Sequence, residues 1–324
     1  MGAAMSVDLS FVLVNWNTRA LILEALESIV DNVQGYSYEM LVVDNASEDG
    51  SADAIRSAFS RVDLIINERN LGFARAVNQA LERATGRYVI LLNSDAKLVN
   101  GAVQTLVAFM EANADVGVAG GQLINEDGSK QNAIAAFPSL ATELLNKRVL
   151  RILAPQRYPG KEVEYRRPVD VDSLVGACMV VRRHAIDEVG GLDERYFLFM
   201  EETDWCLRMW EKGWRVCFVP HAQIIHLQGA SASMVKPESK KEFYRSRYLF
   251  FEKHRGRVCI TILKVGLVLR LLGEVLVDSL LLAKKKNRDR WKMRWSLLLW
   301  HLKSCPSDES LRGVNYVKSI GQEH

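Results

Sequence analysis

Four short apolar runs in the first hundred residues each give way to a polar turn and then to a helical pattern. Leu9–Val14 runs into Asn15-Trp-Asn-Thr18, with Thr18 placed as the N-cap of a helix from about Arg19 to Val30. Met40-Leu-Val-Val-Asp44 runs into the turn Asn45–Ser51, and a helix follows from about Ala52. Leu64-Ile-Ile66 leads to the loop Asn67–Gly72 and a helix over Phe73–Ala84. The fourth run, Tyr88 to Leu92, is wholly apolar or aromatic and ends in Asn93-Ser94-Asp95. Such a run has the length and chemistry of a strand buried on both faces. This alternation predicts an α/β chain of the doubly wound type, with a mostly parallel sheet and right-handed crossovers.

The residues at which the runs stop are the first candidates for function, because open α/β sheets bind ligands at the carboxyl ends of their strands. Asn15, Asp44 and Asn93-Ser94-Asp95 would form a row along one sheet edge. Such a row suits a nucleotide, with acceptors for base and ribose and oxygens for a divalent cation that holds a diphosphate. Asn, Ser and Asp are also ordinary turn residues, and Asp44 with its loop can be an Asx-turn leading into a helix. No G-x-G-x-x-G follows the first run and no G-x-x-x-x-G-K-[ST] occurs, which argues against a dehydrogenase site and a P-loop.

Further on, the periodicity predicts a helix over Ala102–Asn113 and a strand Val116–Ala119 leading into Gly120-Gly121. Asn125-Glu-Asp-Gly128 reads as a hairpin-type turn. Residues 136–170 carry four prolines and little periodicity, so they read as a long loop of the kind that closes over a site. A strand through Val171–Val181 would pass close to a ligand at Gly176-Ala-Cys178. Glu201, Glu202 and Asp204 open a helix running to about Lys212. A carboxylate there is held ionised by the helix dipole and can act as a general base; the other reading is a solvated first turn. Asp204 and Arg208 are spaced for a local ion pair. Val216–Val219 reads as a strand stopped by Pro220, followed by a segment with His226. A lone His is usually structural, but Gly229 and Ser231 suggest a loop near phosphates.

The net charge of +3 on 324 residues argues against a nucleic-acid partner. Five scattered cysteines with no zinc spacing read as reduced thiols in a cytosol, and the start shows no secretory signal. The C-terminal part is different. Phe243–Arg255 is aromatic and basic, and reads as a packed helix or as an acceptor-side surface for a lipid diphosphate. Residues 258–283 are rich in Leu, Val and Ile but interrupted by Lys264, Arg270, Glu274 and Asp278, which is too charged for a spanning helix. Those four fall within about half the helical circumference, and the opposite face is apolar. Lys284-Lys-Lys286, Arg288, Arg290, Lys292 and Arg294 follow, interleaved with tryptophans. This predicts an amphipathic extension lying in an anionic membrane interface; a docked helical hairpin or an oligomer interface would share the pattern.

Eight motifs in order carry a family resemblance. They are Val14-Asn-Trp-Asn17, Val43-Asp-Asn-Ala-Ser47 with Asp49-Gly-Ser51, Asn70-Leu-Gly-Phe-Ala74 with Asn78, and Leu92-Asn-Ser-Asp95. Then come Gly176-Ala-Cys-Met179 with Arg182-Arg183, Val189-Gly-Gly-Leu-Asp193, Glu201-Glu-Thr-Asp204 and His226. Over roughly residues 8–255 the chain resembles the inverting family 2 glycosyltransferases of the GT-A fold, in their rhamnosyltransferase-like branch. The resemblance implies that Asp44 binds the nucleoside, that Asp95 ligates Mn²⁺ or Mg²⁺ with His226 as a further ligand, and that Glu202 is the base. This chain has Glu at position 202 where the family usually has Asp, which keeps Glu201 as the second candidate. The nucleotide-sugar candidates are Asn15, Asn17, Asp44, Asn70, Gly72, Arg75, Asn93, Ser94 and Asp95.

The implied activity is transfer of one sugar, rhamnose from dTDP-rhamnose, to a polyprenyl-diphosphate-linked glycan in bacterial surface polysaccharide synthesis. The implied location is cytoplasmic and peripheral, on the inner face of the cell membrane. A UDP-hexose or UDP-N-acetylhexosamine donor is the alternative within the class. A sugar-1-phosphate nucleotidyltransferase would need a Gly-rich basic loop after the first strand, which Asn15-Trp-Asn-Thr18 is not. A non-catalytic nucleotide-binding scaffold would tolerate loss of Glu201 and Glu202. The expected division is a domain over residues 1–255, with a nucleotide-binding half at 8–100 and an acceptor half at 101–255, and a helical tail at 256–324.

Overall fold

The computed structural model describes residues 7–155, 158, 163–227, 236–280 and 285–313. They fold as two compact units. The first comprises Met1–Phe137, Arg151–Tyr196 and Glu201–Ser231, and the second Pro138–Leu150, Phe197–Met200 and Ala232–His324.

The first unit is built on one nine-stranded sheet and has a second sheet of two short strands. Its opening half alternates as expected: β1 (Leu9–Asn15), α1 (Arg19–Asn32), β2 (Tyr38–Asp44), α2 (Ser51–Ala58), β3 (Val62–Ile66), α3 (Phe73–Leu81) and β4 (Tyr88–Leu92). The second half adds β5 (Ala96–Leu98), α4 (Ala102–Ala112), β6 (Val116–Ile124), β7 (Ile134–Ala135), β8 (Val169–Asp170), β9 (Ser173–Leu174), β10 (Cys178–Arg182), α7 (Arg183–Val189), α8 (Glu201–Glu211) and β11 (Arg215–His226). The strand order is β3-β2-β1-β4-β10-β6-β11-β5, with β8 pairing β11. The first four strands are mutually parallel, β10 runs antiparallel between β4 and β6, and β11 is parallel to β6. All five residues of β4 are buried between β1 and β10, whereas the edge strand β3 is half exposed. The order reverses at β1, whose neighbours are β2 and β4, so their carboxyl ends flank a switch point of the kind at which such sheets hold ligands.

Three expectations change. Pro220 does not end a strand: β11 runs from Arg215 to His226 as one strand, with a register shift between Val219 and Gln223. Proline is tolerated at such a bulge because no ladder hydrogen bond is asked of it. Gly121 lies inside β6, where a Cβ would collide with the Ala222 carbonyl of the bulge, so the glycine is a close-approach position. Residues 136–170 are not a bare loop. They contain α5 (Leu140–Leu144) and α6 (Lys147–Leu153), and α5 starts at a capping box in which Ser139 and Thr142 bond each other's backbone N–H. Val171–Val181 is not continuous either, being β9 and β10 with Gly176-Ala177 between them.

The second unit is helical: α9 (Lys236–His254), α10 (Gly256–Ser279) and α11 (Lys285–Leu302). Leu271 of α10 packs with Leu297 and Leu298 of α11 and with Tyr244 of α9. Phe250 and Phe251 of α9 are buried. The expected boundary at residue 255 falls inside this unit, because α9 gathers two earlier segments. Arg247 pairs with Glu143 at 2.9 Å, Arg255 Nε donates to the Pro138 carbonyl at 3.0 Å, and Ser246 Oγ donates to the Leu198 carbonyl at 2.8 Å. Asp278 accepts from Arg290 at 2.6 Å and from Arg294 at 2.5 Å, and Glu274 pairs with Arg294 at 2.9 Å. Two of the four charges that interrupt this apolar segment, Glu274 and Asp278, thus tie α10 to α11. Among the described residues, no helix is long and apolar enough to cross a membrane.

Candidate active site at the strand ends

The three strand ends are knitted by side chains. Asn15 Nδ2, at the end of β1, donates to Asp44 Oδ2 at the end of β2 (2.8 Å) and to Ser47 Oγ (3.0 Å). Asp44 Oδ1 accepts from the Ser47 N–H at 2.8 Å. Thr18 Oγ1 donates to Asn15 Oδ1 at 2.7 Å and lies 3.0 Å from Ser94 Oγ, which links β1 to the end of β4. The Thr18 hydroxyl is therefore turned away from capping α1. Asp49 takes over, its Oδ2 accepting from the Arg19 N–H at 2.7 Å. Asn17 has a left-handed backbone (φ 54°), common for Asn, and its Oδ1 accepts from the Glu48 N–H. The Asn17 Nδ2 is buried with no acceptor in reach among the described residues, so a ligand oxygen would satisfy it.

Asn45 was not singled out by sequence, yet it organises the next loop. Its Nδ2 donates to Asn70 Oδ1 (2.9 Å) and the Gly72 carbonyl (3.2 Å), and its Oδ1 accepts from Asn67 Nδ2 and the Leu71 N–H (3.0 Å each). Asn70 and Gly72 are thus brought to the same sheet edge, with Asn70 Oδ1 also accepting from the Gly72 N–H. Gly72 has φ +87°, which a side chain would strain. Arg75 is exposed on α3 and lies 3.7 Å from Glu194.

Asp95 and His226 come together because β11 pairs with β5, placing His226 opposite Ala96, and because the Leu227 N–H donates to the Asp95 carbonyl. His226 Nε2 is 3.4 Å from Asp95 Oδ1, and both residues are buried. Gln131, also missed by sequence, fixes the ring. Its Nε2 donates to the His226 carbonyl and to Asn125 Oδ1, 2.6 Å each, and its Oε1 faces His226 Nδ1 at 3.1 Å. A carbonyl can only accept, so the Gln131 nitrogen is identified, and its oxygen requires a proton on His226 Nδ1. In the neutral ring, Nε2 then presents its lone pair toward Asp95.

Adjacent ligands about 2.1 Å from an octahedral ion stand about 3 Å apart, so the two atoms fit one divalent cation. Among the described residues no group of three or more His, Cys, Asp or Glu could hold a metal. The protein would supply two ligands, leaving the rest to phosphate oxygens and water, as Mg²⁺ prefers.

Glu202 lies against Gly176, where a Cβ would sit 3.4 Å from Glu202 Cγ. The neighbouring Ala177 carbonyl accepts from the Asn93 N–H at 2.9 Å. A short path, Glu202–Gly176–Ala177–Asn93, therefore joins the acidic helix to the end of β4. The room expected at Gly176 for a ligand is taken by this side chain. Glu201 is more deeply buried than Glu202. Asp204 is fully buried and pairs with Arg208 at 2.8 Å, and Arg208 also donates to the Val189 and Gly191 carbonyls, so this pair holds α8 in place. Burial, and then Asp204, push the Tyr196 hydroxyl pKa up, and burial pushes the Cys206 thiol up to about 12. Gly229 and Ser231 lie outside the described residues.

The family model described as "Glycosyl transferase family 2" matches residues 10–190. The N-acetylglucosaminyl-diphospho-decaprenol L-rhamnosyltransferase of Mycobacterium tuberculosis is 29% identical over 235 residues, covering 67% of this chain and 76% of its own length. The dTDP-rhamnosyl transferase RfbF of Shigella flexneri is 22% identical over 88% of this chain and 91% of its own. Among solved structures, the mannosyltransferase PcManGT of Pyrobaculum calidifontis, in complex with GDP-Man and Mn²⁺, superposes with TM-score 0.55 at 16% identity, covering 93% of this chain and 87% of that one.

Proposed function

The chain belongs to glycosyl transferase family 2, and from that premise and the strand-end geometry we propose that it transfers one rhamnose, with inversion, from dTDP-rhamnose to a polyprenyl-diphosphate-linked glycan. The observation that carries the chemistry is the pairing of Asp95 and His226 at one end of the Asn93 segment, with Glu202 at the other side of it. Donor and acceptor follow from similarity to the two rhamnosyltransferases, whose names specify them for those proteins.

Asn15, Asn17, Asp44, Asn70, Gly72, Arg75, Asn93 and Ser94 bind the nucleotide sugar in this reading. Asp95 and His226 would hold Mn²⁺ or Mg²⁺, which would neutralise charge on the diphosphate. Glu202 takes the proton from the acceptor hydroxyl as its oxygen bonds to the anomeric carbon. The bond from that carbon to the diphosphate oxygen breaks, and the nucleoside diphosphate leaves. The row of polar strand ends orients the donor so that this displacement is in line. We also place the protein on the cytoplasmic face of the cell membrane, held by an anionic surface. Residues 236–313 carry nineteen Lys and Arg against eight Asp and Glu, which supports this.

A thermal-shift panel on detergent-purified protein tests the reading. It uses dTDP-rhamnose, UDP-glucose, UDP-galactose, UDP-N-acetylglucosamine and GDP-mannose, each with Mn²⁺, Mg²⁺ or chelator. A ligand at 100 times its Kd adds about 2.7 kcal/mol. The expected result is a metal-dependent shift with dTDP-rhamnose, larger than with dTDP alone. A shift confined to a UDP-sugar would replace the donor, and no shift with any nucleotide would overturn the transferase assignment.

A further inference from the structure

Helix α10 carries apolar residues on two sides. It buries Leu263, Leu267, Leu271 and Val275, and on that side Asp278 and Glu274 are held by Arg290 and Arg294 of α11. Lys264 Nζ lies over the Tyr248 ring, 5.2 Å from its centroid, and Arg270 pairs with Glu274 at 3.0 Å. The outward side carries Val258, Ile262, Val265, Leu269, Leu272 and Leu276, exposed by 40% to 74%. At 3.6 residues per turn these six lie within about 80° of arc and run for about 27 Å along the helix. No charged residue falls within that arc. A second apolar stripe of this length, facing out while the acidic residues face in, is costly in water.

We propose that this stripe is a membrane-inserted face. Helix α10 lies flat in an anionic bilayer interface, its six side chains below the headgroups. The inference rests on the peripheral-membrane reading above and adds the face and the mode, apolar insertion rather than charge alone. Charge complementarity selects lipid as the occupant. The unit is strongly basic, with Arg288 and Lys292 exposed on α11, so a second copy would bring like charges together. A helix-to-helix seam would also be flanked by charged residues that set the pairing, whereas the flanks here are Thr261, Val268, Gly273 and Val277. Trp291 and Trp295 stack with centroids 5.8 Å apart, and Trp295 is exposed, as suits a residue at headgroup level.

The test is cosedimentation of the full chain with phosphatidylcholine–phosphatidylglycerol vesicles, comparing wild type with Leu269→Asp and Leu276→Asp. Both side chains are exposed, so thermal melting should not change. Each substitution is expected to lower the partition coefficient at least roughly tenfold, and wild-type binding should persist in part at high salt, which screens charge but not insertion. Asp variants that bind like wild type, with all binding lost at high salt, would sink the insertion and leave the peripheral reading standing. No vesicle binding by wild type would sink both. Asp variants that split a dimer in sedimentation yet keep their vesicle affinity would hand the face to a second copy.

Discussion

Gln131 holds the ring of His226 in one tautomer, accepting from Nδ1 at 3.1 Å while its own amide nitrogen is fixed by the His226 carbonyl at 2.6 Å. Partners of this kind orient a metal-ligating imidazole and typically contribute 10–100-fold to affinity. Gln131→Leu is therefore expected to weaken Mn²⁺ binding in the presence of dTDP by about that factor, read by calorimetry. Nitrogen NMR of labelled histidine gives a metal-free readout, because wild type should show a protonated Nδ1 at His226. An unprotonated Nδ1 in wild type would contradict the assignment.

Glu202 and Glu201 are separated by their surroundings. Glu202 lies against Gly176, next to the segment that holds Asn93, whereas Glu201 is buried at the start of α8. Glu202→Gln should lower kcat by about 10²–10⁴-fold with donor affinity unchanged in equilibrium binding. If Glu202→Gln turns over normally and Glu201→Gln does not, the base is Glu201.

Asn45 makes four side-chain hydrogen bonds from a buried position, and Asn45→Ala would leave the Leu71 N–H and the Asn67 amide without them. The expected cost is about 2–4 kcal/mol, seen as a lower urea midpoint. Because the same bonds hold Asn70 and Gly72 at the sheet edge, donor affinity should fall as well. A variant that loses stability but binds donor normally would show that this loop is structural only.

The opening half of the sheet was legible because β1, β2 and β4 are buried on both faces, and such strands write themselves as unbroken apolar runs. The later half was less so. Pro220 looked like a stop because the bulge that accommodates it depends on Gly121 of another strand. The capping box at α5 uses Thr142 where the usual signature has Glu or Gln, so it left no mark. At the site, residues at strand ends were readable from their position. Asn45, Thr18 and Gln131 were not read as site residues, since their roles come from partners 3 to 95 residues away. In α10 the helical wheel separated charge from oil correctly. It could not say which side faced outward, because the deciding partners, Arg290 and Arg294, lie 12 and 16 residues beyond Asp278.

Those partners make the helical unit sensitive to acid. The Asp278 carboxyl is held below its ordinary value of 3.8, first by the hydrogen bond from Arg290 and then by that from Arg294. A carboxylate whose folded pKa is depressed contributes its stability above the unfolded value and loses it as the pH falls through the folded one. The contribution should therefore be complete at neutral pH and disappear only below about pH 4. Asp278→Asn removes the charge at every pH and replaces one of the two carboxylate oxygens that accept from Arg290 and Arg294 with an NH2 group, which cannot accept. Urea unfolding of the helical unit, followed by circular dichroism from neutral to strongly acidic pH, should show the largest gap between wild type and Asp278→Asn at neutrality. That gap should close as wild type protonates. A gap that stays constant down to acid pH would mean that Asp278 holds α10 to α11 by shape and neutral hydrogen bonding rather than by its charge.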